Sequence, residues 1–125
     1  PDLLIETADQ YLEFAKHIQS PYLGLNFDIG HFYCVKDDPA ATVHKLAPLI
    51  KHVHLEDIAA TRVHHHLVPG DGVIDFRGTL AALKEVGYAD WVTIELYTYH
   101  ENPDEAAKTA RERVLGYAAD VGVTL

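Results

Sequence analysis

Ile50-Lys51-His52-Val53-His54-Leu55-Glu56-Asp57 reads as a β-strand whose two faces differ in kind. Side chains alternate along a strand, so Val53 and Leu55 share one face and His52, His54 and Glu56 the other. Two further stretches repeat the pattern. Leu23-Gly24-Leu25-Asn26-Phe27-Asp28 sets Leu23, Leu25 and Phe27 against Asn26 and Asp28. Trp91-Val92-Thr93-Ile94-Glu95-Leu96 sets Val92, Ile94 and Leu96 against Thr93 and Glu95. Each strand thus carries, near its end and on its polar face, a side chain able to ligate a metal: Asp28, His54 and Glu95.

Helical signals lie between the strands. Thr7 with Gln10 forms a capping-box pattern that opens an amphipathic helix over about residues 8–19, ended by Ser20-Pro21. Ile29-Gly30-His31 reads as a loop leaving the first strand. Asp38-Pro39 starts a helix that runs to about Ala47, before Pro48. Residues 57–74 read as a long loop ending in the turn Pro69-Gly70-Asp71-Gly72. Asp75 caps a helix bearing Leu80, Leu83 and Val86, which Gly87 ends. Asn102-Pro103-Asp104-Glu105 is a further capping signal, for a helix to about Ala119.

Three strands alternating with four helices imply an α/β fold with parallel strands and right-handed crossovers. Parallel sheets usually bury both faces, whereas these strands keep one face polar. A sheet edge permits that, and so does the interior of a (β/α)8 barrel near its C-terminal mouth, where active sites sit. Three separate strands, each ending in a candidate ligand, favour the barrel. A whole barrel takes about 250 residues. The 125 residues here read as one domain, the C-terminal portion of a TIM barrel covering strands 6–8 with helices 5–8. The chain opens on Pro1 and has no methionine, so it reads as a piece of something longer.

Composition narrows the function. Hydrophobic residues make up 48% of the chain, enough for a packed core. A formal charge of −9 argues against a nucleic-acid backbone as partner. No apolar run reaches the roughly 18 residues that a membrane span needs. The single cysteine, Cys34, excludes an intrachain disulfide and leads us to expect a reducing, cytoplasmic compartment. It has no ligand partner at recognisable spacing and receives no role. Open strand edges on a partial barrel predict self-association.

A lone strand-end aspartate is ordinarily a turn former or helix cap, and a lone buried histidine is ordinarily just hydrogen-bonded. Asp28, His54 and Glu95 together shift the balance. Two carboxylates crowded with imidazoles are costly unless a cation neutralises them. Mixed carboxylate and imidazole donors suit Mn²⁺, Mg²⁺, Co²⁺ or Zn²⁺. His31, three residues past Asp28, reads either as a solvated loop histidine or as a second ligand or substrate contact. His64-His65-His66 reads either as a solvated run or, because neighbours alternate, as His64 and His66 converging with His65 turned away. His52 lies one layer below His54. His17 and His44 read as surface helix residues, and His100 is ambiguous.

The residues Asp28-Ile29-Gly30-His31, His52-Val53-His54-Leu55-Glu56-Asp57, His66-Leu67-Val68-Pro69-Gly70-Asp71-Gly72 with Asp75-Phe76, and Thr93-Ile94-Glu95 resemble the signature of the xylose-isomerase-like TIM barrels. That superfamily holds sugar and sugar-phosphate isomerases and epimerases, and also type IV apurinic endonucleases. The resemblance implies that Asp28, His54 and Glu95 are three of four metal ligands, the fourth being a glutamate that would lie before Pro1. It implies that Glu95 is also catalytic, moving a proton to and from the carbon beside a sugar carbonyl while the metal stabilises the enediolate. His31 matches a substrate contact of the isomerases and a zinc ligand of the nucleases. His66 matches a nuclease zinc ligand, but His64 stands where that branch has Asp, a departure that weakens the nuclease reading. The expected partner is a small sugar or sugar phosphate. The alternatives are zinc-dependent phosphodiester hydrolysis and a barrel fragment without turnover. The fragment alone is expected to be inactive.

Overall fold

The structure is a computed structural model that describes residues 3–18 and 20–125. Helix α1 (Ala8–His17) leads into strand β1 (Leu25–Asp28), followed at once by helix α2 (Ile29–Cys34) and then α3 (Pro39–Leu46). A 3-10 turn at Ala47–Leu49 feeds β2 (Ile50–Leu55). Helix α4 (Phe76–Glu85), β3 (Val92–Ile94) and α5 (Pro103–Asp120) complete the chain. The strands form one parallel sheet in the order β1-β2-β3. Each of the two crossovers carries helices, as parallel neighbours require.

The alternation expected from the sequence sets the two faces. Phe27, Val53 and Leu55 are completely buried and join Leu46, Leu80 and Leu83 in the core against the helices. Each such side chain contributes about 1.5–3 kcal/mol of burial. The opposite face holds Asn26, Asp28, His52, His54, Thr93 and Glu95. Register sets them side by side: Asn26 pairs with His52, Asp28 with His54, and His54 with Thr93. Glu95 lies just past β3, yet its N–H still donates to Leu55 O at 3.0 Å, so the pairing continues to it.

The caps follow the sequence with one exception. Thr7 and Gln10 form the reciprocal capping box, Asp38 accepts from Ala41 N–H, and Asp75 accepts from Gly78 N–H. Asn102 makes no side-chain cap; Pro103 starts α5 without it. The first helix ends at His17, and Gln19, where the sequence reading ended it, lies outside the described residues.

Ile29-Gly30-His31 is not a loop but the first turn of α2, which makes five α-helices among the described residues rather than four. The cause is Asp28. Its Oδ1 accepts from His31 N–H at 2.8 Å, so the residue that ends the strand also caps a helix. No helix among the described residues is long and apolar enough to cross a membrane.

Residues 57–74 form an irregular segment held at three places. Asp57 and Leu67 pair as an isolated antiparallel bridge, and the Asp57 carboxylate accepts from the N–H groups of Ile58, Gly70, Gly72 and Ile74 at 2.8–3.0 Å. Arg62, in the left-handed region at φ 59°, lays its guanidinium over the Tyr33 ring and donates to Tyr33 O. Arg113 of α5 donates to Pro69 O at 3.0 Å and pairs with Asp71 at 2.6 Å.

Candidate metal centre

Asp28, His54 and Glu95 come from the ends of three adjacent parallel strands, and register alone brings them to one spot. One donor atom from each lies within 4.8 Å of the others. His54 Nδ1 is 3.3 Å from Glu95 Oε2 and 3.8 Å from Asp28 Oδ2. The three side chains are 13%, 23% and 40% exposed in the order Asp28, His54, Glu95. They are therefore sunk into the rim yet reachable. Asp28 divides its oxygens: Oδ1 caps α2 and Oδ2 faces His54. Cap and candidate ligand are thus compatible roles for one residue.

Beneath this trio, Asn26 Nδ2 is 3.4 Å from the His54 ring nitrogens, and His52 Nε2 is 2.9 Å from Thr93 Oγ1. His52 and His54 meet edge to face with ring centres 5.1 Å apart.

The second histidine group stands beside it. His64 and His66 converge, Nε2 to Nε2 at 3.0 Å, while His65 is exposed. The His31 ring lies 4.2 Å from that of His64, and a donor set of Asp28, His31 and His64 is also compact enough for a cation. His66 is 1% exposed. Its Nδ1 faces the carbonyl oxygen of Glu95 at 2.9 Å, and a carbonyl can only accept, so Nδ1 carries the proton. That leaves Nε2 as the lone-pair atom turned to His64. Burial, then His31 and His66, push the His64 imidazole below its ordinary range. Tyr97 packs 4.2 Å from the His66 ring and forms the outer wall. His17 pairs with Glu13 and His44 with Glu85, both at the surface, and His100 is exposed. Burial pushes the Cys34 thiol up, which disfavours thiolate chemistry there.

Sequence reasoning assigned no role to Glu56 or Asp57. Both are essentially inaccessible, at 0% and 1% exposure. Glu56 accepts from Gly30 N–H at 2.6 Å, and its other oxygen, Oε2, has no hydrogen-bond partner. Burial, followed by the neighbouring Asp28 carboxylate, raises its pKa to about 10. Its place on the same face as His54 was legible from alternation; its burial was not. Asp57 is the hub of the 57–74 segment, for which the only sequence signal is the Gly-rich turn that supplies two of its four donors.

The sequence matches the family described as xylose isomerase-like TIM barrel over residues 2–116. This chain belongs to the xylose isomerase-like TIM barrel family. The inosose dehydratase of Clostridium beijerinckii is 31% identical to it over 128 residues, covering 88% of this chain and 43% of that protein. A D-tagatose 3-epimerase-like protein of known structure is 36% identical with a TM-score of 0.79, over 93% of this chain and 42% of that one. The IolI protein, whose crystal structure has a bound zinc atom, is 25% identical with a TM-score of 0.82, over 97% and 46%. This xylose isomerase-like chain spans less than half the length of the curated relatives it matches. Its three parallel strands and five helices are a portion of the barrel those structures share.

The residues present fit a divalent cation. Two carboxylates and an imidazole converge with their donor atoms within 4.8 Å, and hard oxygen with borderline nitrogen donors is the chemistry that such ions take. Without positive charge, Asp28 and Glu95 would crowd like charges beside the buried Glu56.

Proposed function

We propose that this chain supplies one side of a metal-dependent active site of an isomerase or epimerase acting on a sugar or sugar phosphate by proton transfer beside a carbonyl. The observation that carries the reading is the convergence of Asp28, His54 and Glu95 from three consecutive strand ends. Those three residues would hold the ion, with His31 and His64 on its flank. Bound there, a divalent cation supplies positive charge to a carbonyl oxygen and its neighbouring hydroxyl.

The chain's own groups do the rest. Glu95 is the most exposed of the three and its carboxylate is placed to take a proton from substrate carbon and return it. The His66 ring, anchored on the Glu95 carbonyl, holds that carboxylate's backbone in place. His31, His64 and Tyr97 form a wall of hydrogen-bonding and aromatic surface suited to a polyhydroxylated ligand. Removing a proton beside a carbonyl is a step common to epimerising a ketose and to dehydrating a keto-polyol. The reading therefore accommodates relatives named for either reaction.

The test is metal content together with solvent-deuterium uptake. The chain should take up a divalent ion that Asp28→Ala cannot hold. A longer chain carrying these residues should exchange deuterium into the carbon beside the carbonyl of a ketose, and Glu95→Gln should not. Metal uptake unchanged in Asp28→Ala would refute the assignment. A second reading, zinc-dependent phosphodiester hydrolysis, draws on the convergence of His31, His64 and His66. Several zinc ions per chain with incision of abasic DNA would favour it.

A further inference from the structure

Glu56 is a fully buried carboxyl beside the candidate centre, and the chemistry above gives it no task. It lies on the same face of β2 as His54. One oxygen accepts from Gly30 N–H at 2.6 Å; the other is sealed from solvent without a hydrogen-bond partner. Gly30 belongs to the first turn of α2, the turn that Asp28 caps through His31 N–H. The contact therefore ties the end of β2 to the same turn that orients Asp28. A Cβ at position 30 would overlap Glu56 Oε1, so glycine there is what lets the carboxyl in.

We propose that Glu56 is a positioning residue for the metal centre: by holding Gly30 N–H it fixes the first turn of α2 and, with it, the direction in which Asp28 presents Oδ2 toward His54 and the cation. The proposal rests on the metal reading above. The role assigned to Glu56 runs through Gly30 N–H and is separate from the compact donor set that Glu56 also forms with His66 and Glu95. Groups that orient a ligand from behind are worth about 10- to 100-fold in metal affinity.

The experiment is Co²⁺ titration of the 125-residue chain. Its readouts are visible absorption for the coordination environment and competition for affinity, with far-ultraviolet circular dichroism to monitor folding. Asp28→Ala should lose Co²⁺ binding. Glu56→Ala should stay folded, bind Co²⁺ about 10- to 100-fold more weakly and change the visible bands. Glu56→Gln keeps an oxygen for Gly30 N–H and turns an amide donor toward Asp28, so it should bind within a few-fold of the unaltered chain with the same bands. If Glu56→Ala does not fold, Gly30→Ala replaces it, because the added methyl displaces the carboxyl; the same weakening is expected. Binding lost in Asp28→Ala but unchanged, in affinity and spectrum, in folded Glu56→Ala or Gly30→Ala would overturn the role of Glu56 and leave the metal centre standing. No Co²⁺ uptake by the unaltered chain would overturn both.

Discussion

Replacing Asp57 by asparagine should damage this protein more than any surface charge change. The carboxylate accepts four backbone N–H groups, Ile58 and Ile74 on Oδ1 and Gly70 and Gly72 on Oδ2, at 2.8–3.0 Å. An asparagine keeps one oxygen and turns an NH₂ toward the other pair of donors. Two bonds are lost, each worth about 1.5–3 kcal/mol when the acceptor is charged. The sum is about 3–6 kcal/mol, against a total stability of about 5–15 kcal/mol for a small domain. Asp71→Asn is the control: its partner Arg113 is 2.6 Å away, but the pair is 48% and 38% exposed, so the loss should be at most about 1 kcal/mol. Urea denaturation of both variants measures the difference, and amide hydrogen exchange at Gly70 and Gly72 locates it. An Asp57→Asn variant whose unfolding free energy falls by less than about 1 kcal/mol would show that this carboxylate is not what holds the segment.

Other outcomes follow from the same geometry. Glu56 has a folded pKa raised to about 10 from an ordinary carboxylate value, so its contribution is fully present in acid and is lost as pH rises toward 10. Metal-free chain should therefore lose stability between mildly acidic and alkaline pH, and Glu56→Gln should flatten that slope; parallel profiles would refute it. His64 is shifted the other way. Its pKa is lowered, so its contribution is present above the ordinary imidazole range and is lost as pH falls, and His64→Gln should remove that acid-side component from urea midpoints. The outer edges of β1 and β3, unpaired among the described residues, with a groove of about 1280 Å³ lined by Tyr88, Trp91, Leu115 and Leu125, should cause self-association in sedimentation runs. Trp91→Glu should reduce it, and a single monomeric species at high concentration would count against the idea. The 125-residue chain alone should show no isomerase turnover, since the proposed mechanism finds a single acid–base carboxylate, Glu95, among the described residues; measurable product would end that expectation.

The three strands, and the meeting of Asp28, His54 and Glu95, were legible because alternation and parallel register are one-dimensional rules: once Asp28 sits beside His54, the faces follow. The caps at Thr7, Asp38 and Asp75 were legible for the same local reason. Ile29-Gly30-His31 was misread because its apolar content is too short for helical periodicity, and what makes it helical is the carboxylate of Asp28 at the end of β1. The sequence shows that Glu56 shares a face with His54 but not that α2 closes over it. Asp57 finds its donors up to seventeen residues away, a separation that no local pattern encodes.

The segment from Asp57 to Ile74 is pinned at its root by one carboxylate, at its tip by Arg62 and along its back by Arg113. A stretch tied down at three points behaves as masonry rather than as a hinged flap. His64 and His66 thus wait at their stations before any ligand arrives, and the entropy of ordering them is already spent when the chain folds. Whatever opens and shuts over this rim must be sought elsewhere than in the stretch that looks, on paper, most like a door.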